Sequence, residues 1–446
     1  MTKATFLLAV AFSIGGAIVI AQSRLGDTSQ AKPGSTAFDA QVERSRNQMF
    51  EEGKQIFRFD TFGDEAFWGA TMQLHQAIAG EKNGGVGPGV SPKTALSVGL
   101  KVDADALPAS LVEQIKEGKV DLDDAATTLA LLKLNAVVGV TGRFDGQGRL
   151  TTMGIQCAFC HSTVDDSFAP GIGHRLDGWP NRDLNVGAIV SLAPNPKPLA
   201  DLLGVDIPTL KKVLGSWGPG KYDAELNVDG RGMRPDGRAA ATLIPPAFGL
   251  AGVGNHTWSG SRPSIPYWNA YVAVTQMHGT GTFIDKRLDT AENKVASKTM
   301  LGETRTKPDN VTAKLASLHY YQLSLPAPRP PEGSFDSPAA ERGRVLFEGK
   351  ATCATCHVPP LFTEPGWNLH AASEIGIDDF QAKRSPGEQK YRTAPLRGLF
   401  AHSKGGFYHD GRFATLDDVI EHYNSTKHLG LSAQEKKELA EFLKSL

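Results

Sequence analysis

The sequence predicts a mostly α-helical chain of two domains facing each other across a seam, with an elaboration at the N-terminal end. Three observations predict it. The pentapeptide Cys157-Ala158-Phe159-Cys160-His161 recurs as Cys353-Ala354-Thr355-Cys356-His357, and together they use all four cysteines. At 446 residues the chain exceeds what one hydrophobic core usually serves. A proline-rich run, PAPRPP at 326–331, separates the repeats as a stiff linker would. C-x-x-C-H is the attachment pattern of a c-type haem: two thiols form thioethers to one porphyrin, and the next histidine lies under the iron. Two covalently bound haem c groups are therefore expected, each in a cytochrome c-like domain. Cys157, Cys160, Cys353 and Cys356 would attach them, with His161 and His357 as proximal ligands. Zinc would need the four cysteines brought together, and a redox dithiol does not need the histidine.

Each element follows in order. Lys3 precedes an apolar run over 4–21, and polar residues come after it. This is a secretory signal pattern with a small-residue cut after Ala21, and the run is also long enough for an uncleaved anchor. Residues 22–37 read as a flexible leader. Either way the body is expected in the periplasm, outside the cytoplasmic membrane, where c-type haems are attached. The N-terminal domain is expected over 38–325. Its first helix shows in Phe38, Val42, Met49, Ile56 and Phe57, which recur among charged residues. The aromatic-rich stretch 53–68 is expected near the first haem. Residues 80–99 are glycine-rich but lack the G-K-[ST] ending of a phosphate loop, and read as an irregular loop. Residues 107–135 alternate charged and apolar positions at helical spacing, with Asp121 to Asp124 suited to a helix start. Residues 163–185 read as loop, and 190–240 as a Pro/Gly-interrupted insertion.

The linker, 326–337, leads into a C-terminal domain at 338–446. Ser337 as cap and Pro338 in the first turn open a helix that delivers the chain to Cys353. At the far end Ser432 and Glu435 form a capping box. Leu439, Phe442, Leu443 and Leu446 make the apolar stripe of a closing helix. Charge is balanced, 47 basic against 48 acidic residues, which argues against a nucleic-acid partner and for small-molecule or protein redox partners.

Residues 325–357 (LPAPRPPEGSFDSPAAERGRVLFEGKATCATCH) and 391–424 (YRTAPLRGLFAHSKGGFYHDGRFATLDDVIEHYN) resemble the di-haem cytochrome c peroxidase/MauG superfamily. The tail is the specific part: an RTAPLR run, a Tyr-His-Asp-Gly turn and a capped helix. Gly173-His174, residues 179–185 and the FGLAGVGNHTWSGS segment at 248–261 resemble it more loosely. The resemblance covers roughly 150–190 and 240–446, leaving the N-terminal elaboration and 190–240 as insertions.

The resemblance implies roles for particular residues. No methionine follows Met300, and Tyr423, fourteen residues beyond His409, matches the tyrosine that MauG-like members use as the second haem's sixth ligand. Alternatively Tyr423 packs on Val419 and Ile420, and His422 or His428 is the ligand. His174 matches the distal histidine of the first haem, or is a propionate-binding or surface histidine. Trp258 matches the tryptophan between the haems, an electron relay, against a plain core residue. Arg175, Arg182, Arg392 and Arg397 are candidate propionate partners, because a guanidinium fork fits a carboxylate, or are surface charges. Asp183 stands where one ligand of an interdomain Ca2+ would be. His278, in Gln276-Met277-His278, stands near the position of the peroxidase glutamate, and no Asp or Glu occurs between Ser259 and Ile284. A histidine can shuttle a proton at neutral pH, though a lone one is more often structural.

The resemblance thus implies a periplasmic di-haem oxidoreductase. Its C-terminal haem would store electrons from a small redox protein and feed an N-terminal haem that meets hydrogen peroxide or oxygen. A pure electron carrier with both irons six-coordinate is the alternative of a different class, and an oxygenase acting on an organic substrate is a third. A homodimer is compatible with all of them.

Overall fold

A computed structural model describes residues 36–261, 264–366 and 368–446. The expected signal at 1–21 and nearly all of the expected leader at 22–37 lie outside the described residues. The chain divides into two compact units, Met1–Asn47 and Gln48–Leu446. The described part of the first is helical, opened by Thr36, whose N–H and hydroxyl both bond Asp39 at 2.7 and 2.8 Å. Phe38 and Val42 are exposed there.

In the second unit helices dominate. Strands among the described residues form five two-stranded ladders. The longest ladder is the antiparallel hairpin Val140–Phe144 with Leu150–Ile155. Its turn is set by Asp145, whose carboxylate accepts from the N–H groups of Gln147 and Arg149, each at 2.9 Å. An aspartate closing on its own backbone two residues on is a local turn device.

Helix starts follow local capping chemistry. Asp124 caps Ala125–Lys133 by accepting from Ala126 at 3.0 Å. Within 107–135 that helix is preceded by Ala109–Lys116, with a break between them. The stretch 80–99 is not all loop: Ser91 caps a helix at Pro92–Ser97, with proline in the first turn. The insertion 190–240 carries helices Lys197–Leu203, Ile207–Trp217 and Leu226–Asp229. In 163–185 two short strand pairings replace the expected loop.

The C-terminal part builds its own core from residues between Leu346 and Leu446. Helix Ser337–Glu348 crosses helix Ala433–Lys444 at Gly343, where a Cβ would fall 2.0 Å from the Glu438 carbonyl oxygen. Glycine there lets the two backbones touch. One turn on, Phe347 is buried with its ring 5.1 Å from that of Phe442. The cap of the first of these helices is Asp336, accepting from Ala339 at 2.9 Å, and not Ser337, which is the first helical residue. The Ser432/Glu435 capping box on the second is present in full. No helix of the described residues is long and apolar enough to cross a membrane.

Candidate haem sites

The first motif is delivered by the hairpin. Strand Leu150–Ile155 runs directly into Cys157, and Gln156 anchors the junction by donating to Gly139 at 3.0 Å and to Thr141 at 2.5 Å. Gly139 has a positive φ, and a Cβ there would sit 2.1 Å from the Phe159 Cα, so the hairpin lies directly on the motif. One helical turn, Ala158–His161, then brings both thiols and His161 to the wall of a cavity.

That wall is mostly apolar, with Trp68, Phe159, Val186, Leu243, Pro245, Ile265 and Trp268 among its residues. Burial pushes the Cys157 and Cys160 thiols up to about 12. As a redox dithiol the pair would hold almost no thiolate at neutral pH. Burial also pushes His161 down to about 4, so the imidazole is neutral and carries a lone pair. Its Nδ1 is buried without a hydrogen-bond partner.

Among the described residues of the wall, one cation, the half-buried Arg392, meets this cavity. The Arg392 guanidinium donates to the Thr257 and Asn255 carbonyls at 2.5 and 2.9 Å, and burial alone pulls it down to about 10. No carboxylate neutralises it among those partners. A flat apolar group bearing carboxylates, attached through the two sulfurs and coordinated by His161, fits these features. So does the neighbouring pair Arg182 and His402. Arg182 Nε and His402 Nε2 are both buried without partners, and burial, aided by the Arg182 charge, pushes His402 down to about 3.

The second motif follows a left-handed Thr352, with Cys353–Thr355 as a single tight turn. His357 donates from Nδ1 to the Phe362 carbonyl at 3.2 Å, and a carbonyl can only accept. Nε2 would then be the nitrogen that coordinates an iron, since a hydrogen bond at the other ring nitrogen is what orients a metal-binding imidazole. Tyr423, on helix Leu416–Thr426, comes close to the same motif. Burial pushes its phenol up, Tyr408 pulls it down, and the thiols of Cys356 and Cys353 are near enough to push it up further. The Tyr408 ring lies 6.3 Å from it, and its buried hydroxyl faces the Tyr423 phenol. His422 is engaged with the Ile375 carbonyl at 2.8 Å, and His428 is exposed. Cys356, Glu364 and His370 also come within 4.8 Å of one another. There both His370 nitrogens are already bonded, to Glu364 at 2.6 Å and Glu374 at 2.8 Å.

Trp258 lies on the wall of the first cavity and is tied to the C-terminal half through one residue. Its indole N–H donates to the Leu243 carbonyl at 3.0 Å, and the Leu243 N–H donates to the His409 carbonyl at 2.7 Å. Gln276 is on the wall as well. His278 is not among the wall residues; it stacks on Phe67 at 3.7 Å between ring centroids, and burial pushes it down to about 4.

The structure does not bring His174 to the cavity. Its side chain is 53% exposed and its Nδ1 is 2.8 Å from Asp105, which raises it above the usual histidine range. Arg175 is buried against Asp103 at 2.9 Å and lies over the Phe59 ring, so its charge is already met. Arg397 is exposed. Asp183 is bonded to Lys101 at 2.6 Å and to Lys404, two ammonium groups where a Ca2+ would compete with both.

Sequence reasoning passed over Glu225, which lies on the cavity wall, and Arg384, which holds the segment around it. Arg384 is fully buried and bridges Asp223 at 3.0 Å and Asp229 at 2.8 Å. Also unforeseen on the wall is His256, pushed down to about 4 by burial and by Arg392.

No protein-family model matches the chain. It is 28% identical over 257 residues to the methylamine utilization protein MauG of Methylorubrum extorquens, covering 51% of this chain and 69% of that one. It is 30% identical over 156 residues to the cytochrome-c peroxidase IdrP1 of Denitromonas iodatirespirans, covering 25% of this chain and 40% of that one. Among solved structures, a MauG-like protein associated with microbial copper homeostasis aligns with a TM-score of 0.32 and 21% identity, over 49% of this chain and 76% of that one.

Proposed function

Because the chain resembles the di-haem cytochrome c peroxidase/MauG superfamily over half its length, we propose that it is a periplasmic di-haem oxidoreductase reducing hydrogen peroxide or oxygen. Electrons would come from a small redox protein. The observation that supports this most is the unequal surroundings of the two motifs. His161 opens onto a cavity with Gln276, Trp258 and Arg392 on its wall, whereas His357 has Tyr423 beside its cysteines.

The haems would supply one-electron storage and a site for the oxidant; the chain supplies the rest. At the C-terminal site His357, its proton held on Nδ1 by Phe362, and the Tyr423 oxygen would hold the haem iron. A hard anionic oxygen donor favours the oxidised state and lowers the reduction potential, so an electron stored there would pass on readily. At the N-terminal site the cavity wall would exclude bulk water and admit a small oxidant, with Arg392 neutralising propionate charge. Trp258, bonded through Leu243 to His409, would couple the two.

EPR of the ferric holoprotein tests this reading. One high-spin and one low-spin signal are expected, with the high-spin one altered by peroxide after half-reduction. Two low-spin signals indifferent to peroxide, cyanide and carbon monoxide would leave a carrier and no catalyst.

A further inference from the structure

Hydrogen peroxide is split when a proton leaves one oxygen and arrives on the other, so a reductase of this kind needs a group that carries it. The sequence offers no Asp or Glu between Ser259 and Ile284, and His278 is off the cavity wall. From the geometry of that wall we infer that Glu225, carried on the 190–240 insertion, is the residue that takes and returns the peroxide proton beside the first motif. This rests on the di-haem reductase reading above and names the acid–base group of that site.

Glu225 is the one carboxylate among the described residues of the wall that carries Cys157, Cys160 and His161. It comes from a part of the chain outside the stretches that resemble the peroxidase superfamily. Its position is held on both sides. Two residues before it Asp223, and four after it Asp229, are clamped by the buried Arg384. Its own N–H donates to the Asp223 carboxylate at 3.2 Å, and its carbonyl accepts from Val228 and Asp229 at 2.9 and 3.0 Å. The Ser385 hydroxyl reaches its Oε1 at 3.3 Å. Gln276, on the same wall, reaches the carbonyl of the preceding Ala224 at 3.4 Å, and Tyr271 reaches that carbonyl at 2.8 Å. A carboxylate on so fixed a backbone is preorganised, which is what a proton carrier between two neighbouring oxygens requires.

The chemistry balances as H2O2 + 2 e− + 2 H+ → 2 H2O. The Glu225 carboxylate accepts the proton of one peroxide oxygen and passes it to the other. The O–O bond breaks, and the protonated oxygen leaves with the bonding pair as the first water. The oxygen left behind takes two electrons, from the small redox donor, and two protons from solvent to become the second water.

The test compares holoprotein with Glu225→Gln and Glu225→Asp, read by ligand association as well as turnover. Hydrogen cyanide must lose a proton to bind oxidised haem, whereas carbon monoxide binds reduced haem with no proton transfer. Glu225→Gln is expected to slow cyanide association and the peroxide reaction by about 100-fold or more, with carbon monoxide association unchanged. Glu225→Asp, which keeps a carboxylate on a shorter stem, should restore part of the cyanide and peroxide rates. If Glu225→Gln loses haem, the Asp variant alone decides: cyanide and carbon monoxide association slowed alike overturns the assignment. Wild-type cyanide kinetics in Glu225→Gln, or a loss found only in His278→Gln, overturns it too. Wild-type protein that binds neither cyanide nor carbon monoxide overturns the reductase reading itself, and the assignment with it.

Discussion

Arg384 offers the sharpest test of how the cavity wall is held. Its side chain is fully buried, and the carboxylates of Asp223 and Asp229 are almost as deep, at 1% and 3% exposure. Five contacts engage the guanidinium: Nε and Nη2 on Asp229 at 2.8 and 2.9 Å, Nη1 and Nη2 on Asp223 at 3.0 and 3.2 Å, and Nη1 on the Ala240 carbonyl at 3.2 Å. Replacing Arg384 by methionine keeps much of the volume but strands two carboxylates without a counter-ion. Breaking a buried pair by removing one partner costs roughly 3–5 kcal/mol. At about 1.4 kcal/mol per factor of ten, local opening should become roughly 100- to 3,000-fold more frequent.

Hydrogen exchange of the holoprotein, followed by mass spectrometry, reads that opening at the amides of 223–229. Arg384→Met should accelerate them by the stated factor, while amides of the helix Ala433–Lys444 keep their wild-type protection. Adding Asp223→Asn and Asp229→Asn should recover most of the loss, since no buried charge then remains. An Arg384→Met effect below about 1 kcal/mol, the size of an exposed ion pair, would refute the reasoning. The carboxylates would then be hydrated and the clamp would not exist.

Three other outcomes are expected. Tyr423→Phe should change the absorption and EPR signature of one haem and raise its reduction potential; two unaltered spectra would remove Tyr423 as a ligand. Asp64 is buried, and that burial, aided by repulsion from Glu65 and Asp60, raises it to about 9 against the Ile155 hydrogen bond. The folded chain therefore binds a proton that the unfolded chain has released above about pH 4. Its contribution to stability should be complete below about pH 4 and fall away as pH rises towards 9. Asp64→Asn, which keeps the oxygen that accepts from Ile155, should flatten the decline in Tm between pH 6 and pH 9; an unchanged slope contradicts the shift. Gly343→Ala should destabilise the C-terminal helix pair by roughly 1–3 kcal/mol, seen as a lower Tm and reduced haem at the second motif, because the methyl meets backbone. A neutral result would mean that the helices can part freely.

What could be read beforehand was what chemistry writes locally. The paired C-x-x-C-H motifs and the Ser432/Glu435 box are each complete within five residues, and an aspartate before a helix advertises itself, as Asp124 does. Errors of one residue arise from the same locality. Asp336 and Ser337 both suit a cap, and the carboxylate takes the position. Ser91-Pro92 is an equally good start signal, hidden by the surrounding glycines. The cavity wall was not legible, because it is assembled from remote stretches near residues 68, 157–161, 222–225, 242–247, 256–259, 268–277 and 381–392. No periodicity links Glu225 to Cys157. Likewise His174 follows the first motif as the resemblance expects, but its ring is turned by Asp105, 69 residues upstream.

The shared carboxylate of Asp183 has a consequence for how the molecule responds to its medium. One of its ammonium partners, Lys101, is buried in the N-terminal elaboration, and the other, Lys404, stands in solvent on the C-terminal half. The polypeptide thus carries its own counter-ions at this joint. Rising ionic strength, which screens the exposed Lys404 but hardly reaches the buried Lys101, should slacken one side of the joint only. The two halves would then be fastened by a clasp that brine loosens.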